Sequence, residues 1–364
     1  QSSPAATAKI LYSSPVANRI ITINGKGPGE VVSAHPWDTI TVTGTGFPYQ
    51  LDDQGNPIPV GALAFGSIKT VFKIQEVVHG SVADDGYTII PDKDGKFEVK
   101  VKIGDFYVQT EQQQYQPQQK QVTGGSYDIF TTQVTPDIKG RLTVTPVITV
   151  PSGIEVYKGQ TFHLVGEGFG SKEKVEIRIG GTKVMEATAA EDGTLSVDVE
   201  VKDHTYGEHQ VYAIGTVTGT AGYETDTTKK IKVVNHIDEV HPASDSKVAY
   251  GDTIRIVGSG WGGNEELEVT FGGVKVTPTP TRTESNGSFD ITFTVPNVKV
   301  ESVNEALYAV TVKGKSTKVS ATAAQYYIKS KSNDYPIAYL RILCLLYTSP
   351  SPRDLSTSRM PSSA

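Results

Sequence analysis

The chain has 364 residues, with 34 Lys+Arg against 40 Asp+Glu and a formal net charge of −6. A dispersed acidic balance argues against a nucleic-acid partner, and no run of about 18 apolar residues is present to span a membrane. The single cysteine, Cys344, leaves no disulfide framework, thiolate zinc site or cysteine nucleophile.

That cysteine opens residues 344–364, which read as an in-frame translation of a sequencing adapter and are set aside from fold reasoning. The natural end of the chain is therefore expected elsewhere, with 331–343 a linker or the start of a lost region. The other end begins Gln-Ser-Ser-Pro-Ala-Ala-Thr-Ala, read as the start left after a signal peptide is removed. With 36 Gly, 20 Pro and 17 Tyr, and abundant Thr and Val, the composition predicts many short strands joined by turns.

Residues 1–16 form an extended N-terminal segment whose apolar cluster is Lys9, Ile10, Leu11 and Tyr12. A first domain is predicted over 17–146. It opens on a strand at Ile20–Ile23, reaches an alternating strand with Ile40 and Val42 on one face, and then breaks at Gly44, Gly46 and Phe47. A long insertion follows Phe47. Alternation resumes at Ile68, Thr70, Phe72 and Ile74, and again at Phe97, Val99, Val101 and Ile103 after an Asp94-Gly95 turn. The glutamine-rich stretch 111–121 is expected to be an exposed loop.

A second domain is predicted over 147–235. Phe162 and Leu164 lead into Gly166, Gly168 and Phe169, then a strand closes at Gly180-Gly181, and Asp192-Gly193 starts the next. The third, over 236–330, repeats these steps: Ile254 and Ile256, then Gly258, Gly260 and Trp261, then Gly272-Gly273, then Asn286-Gly287. Asp-Gly and Asn-Gly are read as two-residue type I′ turns.

The spacing Gly-x-Gly-aromatic followed by Gly-Gly resembles IPT/TIG-type immunoglobulin-like domains, well in the second and third domains and partly in the first. The resemblance implies an all-β fold: three tandem immunoglobulin-like β-sandwich domains with an extended N-terminal segment. It implies structural glycines, and it carries over no functional residue.

The remaining motifs suggest little chemistry. Gly258-Ser259-Gly260-Trp261-Gly262-Gly263 matches a dinucleotide-loop pattern, but a strand rather than a helix is predicted after it. Asp92-Lys93-Asp94-Gly95-Lys96 resembles the start of a calcium loop whose twelfth position is Ile103, not a carboxylate. The histidines are scattered; His204 with His209 and His236 with His241 are the nearest pairs. No catalytic residue, metal site or cofactor is therefore expected, and the chain is not read as an enzyme. Asn286-Gly287-Ser288 is a sequon on a turn and a candidate for glycosylation.

The functional expectation is an extracellular structural protein of a prokaryotic surface. It would be a repeating subunit of a pilus-like filament or surface layer, assembled head to tail from copies of itself. The N-terminal segment would donate a strand to the next copy, with Lys9, Ile10, Leu11 and Tyr12 as donor. The alternative is an accessory binding region of a secreted adhesin or carbohydrate-active enzyme, with surface glycans as partners and Tyr49, Tyr107, Tyr115 or Tyr223 stacking on sugars.

Overall fold

In the computed structural model the structure describes residues 19–133, 138–221, 229–298 and 307–329. The expected donor residues Lys9 to Tyr12, the linker 331–343, the segment 344–364 and Tyr223 lie outside the described residues. Among these residues there is no helix, and the fold is all-β and immunoglobulin-like. The chain divides into two compact units: Gln1–Thr149 with Leu164–Val197 and Tyr212–Asp226, and Val150–His163 with Asp198–Val211 and Thr227–Ala364.

In the first unit, eight strands follow one path in an 11-stranded sheet: Ile20–Ile23, Thr39–Thr45, Phe97–Gln109, Ser67–His79, Gly61–Phe65, Gly125–Thr131, Gly140–Val144 and Val32–Ala34. Alternation places Ile21, Ile23, Ile40, Val42, Phe97, Val99, Val101 and Ile103 in one core, each 0–1% exposed, as the period-two pattern requires. Two 13-residue strands, Ser67–His79 and Phe97–Gln109, pair with one another and join what would otherwise be two sheets. The glutamine-rich stretch is not a loop. Tyr115–Gln119 pairs antiparallel with the end of Phe97–Gln109, its polar side chains on a solvent-facing edge where no apolar alternation is needed.

The third motif belongs to the second unit. A three-stranded sheet of His236–His241, Thr253–Ser259 and Phe289–Thr294 shares a core with a five-stranded sheet of Lys247–Ala249, Ser320–Lys329, Tyr308–Gly314, Leu267–Phe271 and Val274–Val276. The strand after Gly263 is Leu267–Phe271, so the dinucleotide pattern opens no helix. The sheets around the second motif have the same order. One is Val147–Thr149, Thr161–Glu167 and Leu195–Glu200; the other is Glu155–Val156, Lys230–Val233, Gly207–Gly215, Lys174–Ile179 and Thr182–Thr188. In each, a short strand pairs in parallel, Glu155–Val156 on Lys230–Val233 and Lys247–Ala249 on Ser320–Lys329.

The turn assignments need correcting. At Asp92 to Lys96 the Gly95 N–H donates to Asp92 O (2.9 Å) and the Asp92 N–H to Lys96 O (2.8 Å). Ala190 to Thr194 and Glu284 to Ser288 repeat this pattern. Within these turns only Gly95, Gly193 and Gly287 take positive φ, at 72°, 80° and 80°. These are longer turns closed by one left-handed glycine, not type I′ turns, which need positive φ at two successive residues. That geometry occurs instead at Gly272-Gly273, with φ of 56° and 81°, between the paired Phe271 and Val274.

Candidate functional site

The three Gly-x-Gly-aromatic motifs perform one local task. The first glycine makes room for a ring: a Cβ on Gly44 would lie 2.1 Å from the Phe97 ring, on Gly166 2.6 Å from that of Phe169, and on Gly258 2.5 Å from that of Phe289. The second, Gly46, Gly168 or Gly260, has φ of 74–76° and turns the chain inward. The aromatic is then buried, Phe47 at 3% and Phe169 and Trp261 at 0% exposure. Its N–H donates to the glycine of the later turn: Phe47 to Gly95 O (3.0 Å), Phe169 to Gly193 O (3.1 Å), Trp261 to Gly287 O (3.0 Å).

The carbonyl of that aromatic is where the motifs differ. Within the first unit, the Gly124 N–H donates to Phe169 O at 2.9 Å. Within the second, the Tyr206 N–H donates to Trp261 O, also at 2.9 Å. The donor loops, Thr123-Gly124-Gly125 and Thr205-Tyr206-Gly207, precede equivalent strands. Their Thr123 and Thr205 Cα atoms stand 3.1 and 3.0 Å from where a Cβ on Gly193 or Gly287 would sit, so these turns accept nothing larger than glycine. At the first motif the three atoms nearest the same position on Gly95 all belong to Phe47, and among the described residues no donor reaches Phe47 O.

Two glutamates complete the second and third motifs, and the sequence reading missed both. Glu173, 5% exposed, accepts the N–H groups of Gly170 (2.6 Å), Val217 and Thr218 (2.8 Å) and the Thr218 hydroxyl (2.8 Å). Glu265, 4% exposed, does the same for Gly262 (2.6 Å), Ser316 (3.1 Å) and Thr317 (3.0 Å), with the Thr317 hydroxyl at 3.0 Å. Burial alone would raise the Glu173 carboxyl, but the converging N–H donors outweigh it and hold the group below its ordinary value. The signal was a repeated spacing, Phe169 to Glu173 and Trp261 to Glu265; the insertion after Phe47 has no acid at that offset.

A groove of about 300 Å³ opens in the second unit. Tyr157 follows the strand Glu155–Val156, Tyr206 precedes Gly207–Gly215, and Lys232 lies on Lys230–Val233. Val234, Asn235, His236 and Ile237 cross from one sheet to the next, and Ser320, Ala321 and Thr322 complete the lining. Tyr157 stacks on His236 with ring centroids 4.0 Å apart and planes 13° from parallel. The Lys232 ammonium sits 6.0 Å from the Tyr206 ring and 2.6 Å from the Glu155 carboxylate. Asn235 Nδ2 donates to Ser320 O at 3.4 Å. Burial lowers the His236 pKa, partly opposed by the Asp238 charge, so the ring is neutral at pH 7.

Other nominated residues lie elsewhere. Tyr107 and Tyr115 pack around Tyr87, at 4.9 Å from it and 5.1 Å from it respectively, so these rings serve each other. Tyr49 is half-buried beyond the first motif. Asp92 Oδ1 accepts the N–H groups of Asp94 (3.0 Å) and Lys96 (2.9 Å), a carboxylate committed to its own turn. His204 and His209 come together edge to face at 5.5 Å, each bound to a backbone carbonyl. Asn286 is exposed at its turn, its Oδ1 accepting the Ser288 N–H at 3.1 Å. No cluster of three metal-ligating side chains occurs among the described residues, and no helix among them is long and apolar enough to cross a membrane.

Among solved structures the chain is similar to a protein of the Bacteroides ovatus mixed-linkage glucan utilization locus, SGBP-B, determined with a mixed-linkage heptasaccharide. Identity is 16%, covering 78% of this chain and 64% of that one, with a TM-score of 0.21. It thus spans 64% of that protein's length. The adhesin InvE of Yersinia pseudotuberculosis is 10% identical over 75% of this chain and 73% of that one, TM-score 0.21. The titin I9–I11 tandem is 10% identical over 85% and 98%, TM-score 0.18. No curated protein matches. Residues 236–328 match the IPT/TIG domain, the family that the glycine motifs resemble, and this segment is an IPT/TIG domain in a chain of tandem immunoglobulin-like sandwiches.

Proposed function

We propose that this chain is a non-enzymatic structural protein of the cell exterior, a repeating subunit of a filament or surface layer assembled head to tail from copies of itself. The observation that carries this reading is the repeated joint. A Thr-x-Gly loop donates to the carbonyl of the next motif's aromatic at Phe169 and again at Trp261, both at 2.9 Å. Phe47 offers the same carbonyl beside the same glycine turn, with no donor among the described residues. Both Thr-x-Gly loops among the described residues already donate within the chain, so the Phe47 face would be answered by a donor of another copy outside those two loops, and such a contact joins unlike surfaces and propagates. Strand donation by Lys9 to Tyr12 is the other route to the same assembly.

Sedimentation and negative-stain microscopy of the full chain, with and without residues 1–15, test both. Concentration-dependent head-to-tail oligomers are expected. Their loss on truncation assigns them to the donated strand, and their survival assigns them to the Phe47 face. A chain that stays monomeric at every concentration refutes self-assembly.

A second reading, the accessory binding region of a secreted adhesin or carbohydrate-active enzyme, is favoured by the tyrosine-lined groove.

A further inference from the structure

Beside Ile237 and Ala321, which pack against the core, the groove is lined by polar and aromatic side chains that the joints, made by backbone groups, do not use. Two rings, Tyr157 and Tyr206, stand in its wall, one held by the stack on His236 and the other beneath the Lys232 ammonium. Its charges cancel: Lys232 lies 2.6 Å from Glu155, and neither has a surplus with which to hold an ion. What remains for a ligand is aromatic surface next to short neutral hydrogen-bonding groups: the hydroxyls of Ser320 and Thr322 and the side-chain carbonyl of Asn235. Asn235 Nδ2 already donates to Ser320 O, so its oxygen is directed by a fixed amide.

These features fit a pyranose and fit other ligand classes badly. A sugar ring has an apolar C–H face, which packs on an aromatic ring, and a rim of hydroxyls that both donate and accept. A phosphate or nucleotide would need uncompensated cations or a helix N-terminus, and the self-paired Lys232 supplies neither. A volume near 300 Å³ is at the small end of ligand sites and suits roughly one or two sugar residues of a longer chain.

We infer that this groove is a subsite for a neutral saccharide, with Tyr206 and Tyr157 as stacking platforms and Asn235, Ser320 and Thr322 as hydroxyl partners. The inference rests on the accessory-binding reading and is independent of self-assembly.

The test is calorimetric titration of the full chain with cellohexaose and maltohexaose as neutral probes and trigalacturonate as an acidic one. Saturable binding of at least one neutral probe is expected, and none of the acidic one. Tyr206→Ala should weaken it about tenfold, or about 1.4 kcal/mol, whereas Tyr206→Phe, which keeps the ring, should stay within about threefold. The Tyr206 N–H is also the donor of a joint, so Ser320→Tyr serves as an independent variant: it fills the groove from an exposed lining position and should abolish binding with an unchanged melting temperature. Binding that survives both Tyr206→Ala and Ser320→Tyr overturns the groove assignment while leaving accessory binding elsewhere on the chain. Failure of both neutral probes to bind up to about 10 mM overturns both. Preference for trigalacturonate overturns the neutral-ligand argument.

Discussion

Glu173 permits a quantitative test of what closes these sandwiches. Its carboxylate is 5% exposed and accepts three backbone N–H groups and one hydroxyl from two segments about 45 residues apart. Glu173→Ala leaves those donors without an acceptor. Val217 is 84% exposed and its N–H can turn to water, so the cost falls mainly on Gly170 and Thr218. At about 1–3 kcal/mol for a stranded buried donor, and less for these half-buried ones, the loss is about 2–4 kcal/mol. Glu173→Gln keeps one acceptor oxygen but sets an NH2 against donors and removes the charge, for about 2–3 kcal/mol.

The pH dependence is more discriminating. The folded Glu173 carboxyl lies below its unfolded value, so its stabilisation is fully present above the unfolded pKa and is lost as pH falls through the folded one. Urea unfolding followed by circular dichroism from pH 7 to pH 3 should therefore show wild type and Glu173→Gln converging at the acid end. Amide hydrogen exchange at Thr218 should lose protection in the variant. A Glu173→Gln protein within about 0.5 kcal/mol of wild type at pH 7, with Thr218 still protected, would refute the reasoning.

Gly287→Ala forces a side chain into positive φ and against Trp261 O at 2.1 Å, and should cost about 2–4 kcal/mol in urea unfolding. Gly219→Ala, with φ of 81° and nothing within 4 Å, should cost about 1 kcal/mol. Gly44→Ala meets the Phe97 ring and should destabilise by about 1–3 kcal/mol; adding Phe97→Leu should restore part of it, and a strictly additive double mutant would deny the contact. Burial lowers the pKa values of both His209 and His236, so stability should fall as pH drops below about 6.5, and His236→Gln should flatten that slope in acid unfolding curves.

The strands were legible because burial on one face writes itself as alternation. Ile254, Ile256, Val269, Phe271, Phe289 and Ile291 could be assigned inward from periodicity alone, and all are buried. Turn type was less legible. Asn-Gly permits several geometries, and the hydrogen bonds from Phe47, Phe169 and Trp261 select the longer one. Tyr115–Gln119 escaped detection because, past the packed Tyr115, its side chains are exposed on both faces and need no pattern. Glu173 and Glu265 looked like ordinary surface acids in polar turns; only their equal offset from the aromatic marked them. The groove was hidden because its residues come from separate segments whose chemistry has meaning only once they converge.

The joint has a consequence for how such a chain can change over time. The first two repeats each bring a donor loop that meets the aromatic carbonyl of the repeat after it, so duplicating a repeat of this kind recreates a matched seam without any compensating substitution. A cut that separates a Thr-x-Gly loop from its own strand creates an orphaned seam at once. Array length is thus free to drift by whole repeats, while the reading frame of the architecture stays fixed.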